Sequence, residues 1–395
     1  MKSWLVKLGK GFSAMKREGI IRGGKKSVTA FFELFSRIGS GDILFVSSGV
    51  GDSARYRSRN QAEELRLHGF KCSVTVQDNP FLPRYSDRFK IFIFQKVIYT
   101  STAAKMIRKI KEKGWEIIFE TDDLVYDPKF LKYMEYYKNI NALERVEYKN
   151  GLGGEIVKDA YVKTAVASTS FLAKKLELEG KRVFVSSNKL SNKDLDVAEE
   201  IFSKKRKHSC GEGKLDTVKI AYFSGTASHD KDFATIENVL VQILGKYDNT
   251  ELYLFGSLQT SDKFAKYENK IKRSTFVPRR EHLENVSSMD INLAPLEIGN
   301  PFCESRSELK FFEAGVFGVP TIAAATQTFR EAIEDGVDGF VANGAEEWKK
   351  KLEKLILDQY LRKSMGEKAR EKVLREYTNK NSHNEEYYSY LKSKL

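Results

Sequence analysis

The sequence predicts an α/β protein of two doubly wound, Rossmann-like domains facing each other across a cleft. Three observations carry that expectation. Short apolar runs recur through most of the 395 residues, separated by charged amphipathic stretches, and strands alternating with helices imply parallel sheets covered on both faces. The alternation is interrupted once, by the polar, glycine-bearing stretch 203–216, and then restarts. The length is enough for two such domains with a large buried core.

In the first series, residues 42–47, 72–76, 91–94, 116–119, 164–167 and 183–185 read as strands, with a helix through Asn60–Leu67 after a glycine turn. Residues 129–160, rich in Tyr, Lys and Glu, read as a helical excursion. The second series gives strands at 219–223, 252–255, 275–277, 291–294, 320–323 and 339–341, then a long amphipathic helix over 345–374. The expected organisation is a segment 1–41, a first domain 42–205, a linker 206–216, a second domain 217–375, and a C-terminal helix 376–395 that returns to the first domain. Folds of this kind place ligands at the carboxyl ends of their strands.

Composition narrows the function. The apolar fraction is 41%, and no apolar run approaches the roughly 20 residues of a membrane-spanning helix. The N-terminus lacks a secretory signal pattern, and Cys72, Cys210 and Cys303 show no metal-ligand or disulfide spacing. A cytoplasmic protein is expected. The net charge is +13, and residues 1–41 hold nine Lys/Arg against two acids. Trp4, Leu5, Leu8, Phe12 and Met15 recur there at helical spacing. A basic helix with an aromatic face suits an anionic membrane surface; packing on the protein's own body is the alternative. The interleaved basic and aromatic strands of RNA modules are missing, so no nucleic-acid partner is expected.

The most specific segment runs from Asn300 to Ala324. Lys310 and Glu313 are three apart and share a helix face. A helix start with a lysine suits a diphosphate, and a carboxylate beside it can accept from ribose hydroxyls; an ordinary surface ion pair is the plain alternative. Leu309, Phe312 and Val316 are expected to be the buried face. Two more segments follow the same logic: the loop 223–233, with Gly225, Thr226, His229 and Lys231, and the helix and strand of 330–341.

Together, in this order, these segments resemble the donor-binding signature of the large retaining GT-B glycosyltransferase family that includes bacterial mannosyl- and glucosyltransferases of the cell envelope, family 4-like. The resemblance covers nearly all of 216–375 and, more loosely, 42–190. It implies that Lys310 contacts the donor diphosphate and Glu313 the ribose, and that Gly225, Thr226 and Lys231 wrap the diphosphate. It also implies that Lys231 and Lys310 stabilise the departing charge, and that Gly51 brings backbone N–H groups towards the donor. The implied activity is retaining hexosyl transfer from a nucleotide-diphosphate sugar, the donor substrate, to a saccharide or lipid-linked saccharide in envelope polysaccharide or glycoconjugate synthesis. No cofactor and no metal are implied. Two positions depart from the family. Ser305 stands where a second glutamate, eight before Glu313, is common, with Glu304 beside it. Thr226 stands where an arginine is common, which leaves Arg279, Arg280 or Arg306 to meet phosphate charge.

In the first domain, Gly49, Gly51 and Ala54 loosely match a dinucleotide fingerprint. A nicotinamide-dependent oxidoreductase is therefore the rival reading, with Asp78 as its poorly spaced acid. Arg55 and Arg57 are candidates for an acceptor phosphate, with helix-surface charge as the alternative. Asp122 and Asp123 are expected to orient the acceptor or cap the next segment rather than hold a metal, and Gln95 and Lys96 face the same edge.

Overall fold

The computed structural model describes residues 37–134, 137, 145–146, 148–208, 217–225 and 230–395. The chain divides into two compact units, residues 1–189 with 382–395, and residues 190–381. The change of unit falls at Lys189–Leu190, so the helix Asn192–His208 belongs to the second unit. The sequence boundary at 205, drawn at the polar stretch, falls inside that helix, well after the change of unit. Composition marks where polar chain begins, not where packing changes sides.

The first unit holds six parallel strands: β1 Ile43–Ser47, β2 Cys72–Val76, β3 Ile91–Gln95, β4 Glu116–Thr121, β5 Thr164–Ala167 and β6 Arg182–Val185. Their order is β2-β1-β3-β4-β5-β6. β1 and β3 are buried throughout, as expected for a parallel sheet covered on both faces. Register aligns Ser47 with Gln95 and Gln95 with Glu120, which brings three polar side chains together at the carboxyl ends of β1, β3 and β4. The terminal helix Glu385–Lys392 adds Tyr387, Tyr388 and Leu391 to the core cluster of Ile43, Phe45, Ile93 and Phe184. Glu64 anchors it: Oε1 accepts from Ser382 Oγ and Tyr388 OH, both at 2.6 Å, while Oε2 accepts from Lys189 Nζ at 2.8 Å.

The second unit holds β7 Val218–Phe223, β8 Thr250–Phe255, β9 Ile271–Ser274, β10 Ile291–Ala294, β11 Thr321–Ala324 and β12 Phe340–Ala342, in the order β12-β11-β10-β7-β8-β9. Adjacent pairs are again parallel. Two sequence expectations are corrected here. The strand expected at 275–277 lies at 271–274. β9 is an edge strand, and a single buried residue, Ile271, with exposed Lys272 and Arg273 suffices there; Thr275–Val277 instead leads into the helix Arg279–Ser287, N-capped at Pro278. The long helix expected over 345–374 is two helices, Ala345–Leu357 and Gln359–Glu376. Asp358 leaves helical geometry at ψ 98° and its side chain caps the second helix by accepting from Leu361 N.

Glycine is required where the second helix crosses the first turn after β10's helix. A Cβ on Gly366 would sit 1.9 Å from the carbonyl oxygen of Gly318. Gly318 itself has φ +67°, a conformation that lets the chain leave helix Leu309–Gly315 and open β11.

Candidate donor and acceptor sites

In the second unit, the chemistry-bearing residues collect beyond the carboxyl ends of β7 and β10. β7 ends at Phe223; Ser224 and Gly225 follow, Thr226 and His229 lie outside the described residues, and the short helix Asp230–Ala234 begins beyond them. Lys231 is exposed on that helix, while Asp232 is buried. Asp232 Oδ1 accepts from Glu297 N at 3.3 Å and from Cys303 Sγ at 3.2 Å, which ties the helix to the loop after β10. Burial, then the Asp232 charge, pushes the Cys303 thiol far above its ordinary range, so it stays protonated. Asp232, Glu297 and Cys303 bring ligating atoms within 4.8 Å of one another. Within this trio the Cys303 thiol donates to Asp232.

Lys310 lies in the first turn of helix Leu309–Gly315, whose backbone Asn292 Nδ2 pins to the sheet by donating to Lys310 O at 2.9 Å. The ammonium sits 5.5 Å from the centre of the Tyr222 ring. Burial and the charge of Arg306 pull its pKa down to about 8, against the opposing pull of Asp232 and Glu313. Burial and a nearby like charge both disfavour the charged form of a lysine.

Glu313 corrects the plain reading of a surface ion pair with Lys310. It is buried, and its carboxylate is engaged by other partners. Oε1 accepts from Arg279 Nη1, and Oε2 lies 3.3 Å from His282 Nε2. Arg279 also reaches Asp194, at 3.2 Å from Nε and 3.3 Å from Nη2. The His282 ring meets the edge of Phe223, which stacks on Phe255. Of the residues expected to be that helix's buried face, Phe312 and Val316 are buried and Leu309 is half-buried, while Phe311 was missed.

The three arginines considered for phosphate differ. Arg279 is committed to two carboxylates. Arg280 is exposed and forked onto Glu200, with Glu284 3.1 Å away. Arg306 stands beside Lys310. Glu304 is taken up by backbone: it accepts from Gly299 N at 3.0 Å and Gln327 N at 3.1 Å. Ser305 is buried and donates to Phe302 O. Neither supplies the family's second glutamate.

In the first unit, Gln95 joins the strand ends. Its Oε1 accepts from Ser47 Oγ at 2.9 Å, and its Nε2 donates to Ser53 Oγ at 2.8 Å, which donates to Asp122 Oδ2 at 2.7 Å. Lys96 has φ +49° and inserts its ammonium between two carboxylates, 2.5 Å from Asp122 and 2.9 Å from Asp123. Burial works against that charge, but the two aspartates outweigh it and hold Lys96 above its ordinary value. A lysine thus occupies the place between the carboxylates that a divalent cation takes in paired-aspartate sites.

Arg57 corrects the sequence expectation. It is fully buried rather than presented to an acceptor phosphate, with Nε 2.6 Å from Glu120 Oε1 and Nη1 donating to Ser186 O at 2.6 Å and Asn188 Oδ1 at 3.0 Å. The chain over Arg55–Asn60 is wound as a π-type turn. Arg55 remains partly exposed, 3.6 Å from Asp52. Gly51 is exposed with open space where a Cβ would be, so no close approach within the unit demands glycine there. A cavity of about 150 Å³ opens beside it, lined by Ser47, Gly49, Ala54, Arg59, Val74, Thr75 and Val76.

Comparison with known proteins follows this geometry. Residues 237–385 match the model of a family described as glycosyl transferase-like. The chain is similar to glycosyltransferases. No curated protein matches it significantly. Among solved structures, Anabaena HepE in complex with UDP and glucose aligns over 89% of this chain and 100% of its own, at 13% identity and TM-score 0.57. A glycosyltransferase from Rickettsia africae aligns over 90% and 99%, at 16% identity and TM-score 0.58. Sucrose-phosphate synthase from Thermosynechococcus elongatus aligns over 85% and 95%, at 12% identity and TM-score 0.56. At such identities the likeness is one of fold: two parallel six-stranded α/β sheets of the GT-B class.

Proposed function

We propose that this chain is a retaining glycosyltransferase that moves a hexosyl group from a nucleotide-diphosphate sugar to a saccharide or lipid-linked saccharide acceptor, in cell-envelope polysaccharide or glycoconjugate synthesis. The observation that carries the reading is Lys310. Its half-buried ammonium sits in the first turn of the helix Leu309–Gly315, 5.5 Å from the centre of the Tyr222 ring and one turn from Glu313, where a ligand's anion would favour its charged form. The match over 237–385 and the UDP held by the similar HepE structure support a nucleotide diphosphate as that anion.

In this mechanism, negative charge grows on the departing diphosphate as the glycosidic bond breaks. Lys310, Lys231 and backbone N–H groups of Gly225 and Thr226 stabilise it, an electrostatic contribution made where charge develops. The departing phosphate takes the acceptor's proton on the same face of the sugar, so the reaction needs no dedicated base. Glu313 accepts from the ribose hydroxyls. Asp122, Asp123 and Arg55 orient the acceptor, and Gly51 leaves room for the donor to approach backbone. The diphosphate is neutralised by side chains, so the reaction is metal-independent. The protein works in the cytoplasm, peripheral to the inner face of the membrane through residues 1–41; of these, 1–36 lie outside the described residues. No described helix is long and apolar enough to cross a membrane.

The test is donor hydrolysis across a panel of UDP-, GDP- and ADP-sugars, with NAD as the control for the oxidoreductase reading. Hydrolysis of one nucleotide sugar, with NAD inert, supports the proposal. Inert nucleotide sugars together with NAD binding would replace it.

A further inference from the structure

β3 runs through Ile91, Phe92, Ile93 and Phe94 and then ends on a glutamine that is fully buried. Burying an amide costs free energy unless its ends are hydrogen-bonded, and a methionine would fill the space without that demand. At Gln95 both ends are met. Ser48 N, which can only donate, lies 3.3 Å from Oε1, and Ser47 Oγ donates to the same oxygen at 2.9 Å. The amide nitrogen therefore faces Ser53, whose Oγ accepts at 2.8 Å. A hydroxyl has one proton to give, so Ser53 directs its own to Asp122 Oδ2, 2.7 Å away. The bonds run in one direction, from the backbone N–H of Ser48 through the amide and the hydroxyl to a carboxylate. Bonds aligned in this way polarise one another, and the last of them is assisted by charge.

The same glutamine brackets a loop. Oε1 holds Ser47 and Ser48, where the chain leaves β1, and Nε2 holds Ser53, in the short helix Asp52–Ala54. Between these two holds, Gly51 and Asp52 are exposed. Gln77 adds a second grip on Ser48: its Nε2 donates to Ser48 O at 3.0 Å, while its Oε1 accepts from Ile98 N at 2.8 Å. At the far end of the run, burial works against the Asp122 charge, but Lys96 and then the Ser53 hydroxyl outweigh it and hold that carboxyl below its ordinary value. Fixing a turn is the ordinary purpose of such bonds. Two features exceed it. The run continues past the turn to a carboxylate that follows a different strand, β4, and the loop it brackets leads to the two positions, Gly51 and Asp122, that the proposed function gives to substrate.

We propose that Gln95 is a positioning residue for the transfer, setting the loop Gly49–Asp52 and the Asp122 carboxylate as a single unit. This deepens the glycosyltransferase reading and rests on it. Gln95 is fully buried and acts through others, through the loop at one end and through Ser53 at the other. Gln95→Glu keeps the side chain's size and the acceptor for Ser47 and Ser48 but has no N–H. Its second oxygen competes with Asp122 for the Ser53 proton, so the run breaks in its middle while the start of the loop stays held. Ser53→Ala breaks it at the next bond.

The experiment uses the full-length chain and the nucleotide sugar it hydrolyses, with two readouts: kcat for hydrolysis, and calorimetric affinity for the matching nucleoside diphosphate. Lys310 and Glu313, proposed to hold that diphosphate, belong to the second unit and are unaltered. Gln95→Glu and Ser53→Ala should each lower kcat about ten- to a hundredfold, the scale of a misplacement of about 1 Å. Both should leave diphosphate affinity within about twofold of the native value, as for sites that share no partner. The double variant should be no slower than the slower single one, since both break the same run. Ser53→Thr, the conservative variant, carries the hydroxyl and should recover most of the rate that Ser53→Ala loses. Alanine is a good helix former, so Ser53→Ala decides the matter if Gln95→Glu does not fold. Native kcat in Ser53→Ala, additive losses in the double variant, or an affinity that falls as far as kcat overturns the proposal alone. A native chain that hydrolyses no nucleotide sugar overturns the glycosyltransferase reading, and this proposal with it.

Discussion

Arg279 and Glu313 are joined by an ion pair in which the arginine also holds Asp194. The carboxylate proposed to receive the ribose is therefore oriented before any nucleotide arrives, by a residue from the helix Arg279–Ser287. A preset carboxylate loses less freedom on binding.

The first prediction uses this pair. Arg279→Ala should weaken nucleotide binding about tenfold, and Arg279→Lys should restore part of it, because a lysine reaches one carboxylate but not two in fork geometry. In a Glu313→Ala background, Arg279→Ala should have little further effect, since it acts through Glu313. Calorimetric titration of the four proteins completes the cycle. Additive losses would mean that Arg279 touches nucleotide directly.

Lys310 makes donor binding depend on pH. Its pKa is lowered from 10.5 to about 8 by burial and Arg306. The charged form should dominate below about pH 8 and fall away above it, so nucleotide affinity should drop between about pH 8 and 10. Stability has the opposite slope. The unfolded chain keeps its lysine proton through this window and the folded chain does not, so folding should become more favourable as pH rises from about 8 towards 10.5. Lys310→Met should raise the melting temperature at pH 7 and remove this part of the pH dependence. A variant that melts earlier at every pH would show that the ammonium stabilises the fold.

Arg57 should behave as a structural residue. Removing it leaves Glu120, whose pKa burial raises to about 7 even with Arg57 beside it, without its buried partner. Arg57→Ala should cost about 3–5 kcal/mol of stability, the range for breaking a buried pair. The sign for Glu120 follows from its raised value: between about pH 4.5 and 7 the folded state holds a proton that the unfolded state has lost, so stability falls as pH rises through that window. Chemical denaturation across pH 5–8 reads both effects. A stable Arg57→Ala protein with only a raised acceptor KM would return this residue to substrate binding.

Metal dependence has a specific expectation at Lys96. Transfer by the native chain should survive EDTA. Lys96→Met removes the ammonium from between Asp122 and Asp123 and should create weak binding of manganese, visible by calorimetry, where the native chain shows none. Activity lost with chelator and recovered with manganese or magnesium would move the donor chemistry to those aspartates.

The fold was legible because its central strands, such as β1, β3, β5 and β11, are buried throughout and read as apolar runs. β1, β3 and β5 lie within a residue of their expected bounds. β9 was misplaced because an edge strand with one buried residue carries no such run. Lys310 and Glu313 are singled out by resemblance and by their spacing on one turn, and their part in binding a donor is a proposal. Arg279 and His282, which engage Glu313 from another helix, have no sequence signal linking them to it. Lys96 was only a weak candidate, and its left-handed backbone, which aims the ammonium back between two aspartates, cannot be read from residue type. Arg57 misled for a related reason: a lone arginine on a helical pattern looks exposed unless its buried partner, Glu120 on β4, is already known.

The central claim is that Lys310 and Glu313 hold a nucleotide diphosphate. Its most direct test is calorimetric titration of UDP, GDP and ADP into the native chain, Lys310→Ala and Glu313→Ala, with circular dichroism confirming that each is folded. The account predicts that one nucleotide binds the native chain, and that each substitution weakens it roughly ten- to a hundredfold, the loss of about 1.5–3 kcal/mol expected for a charged hydrogen bond. Folded variants that bind every nucleotide as the native chain does would contradict it.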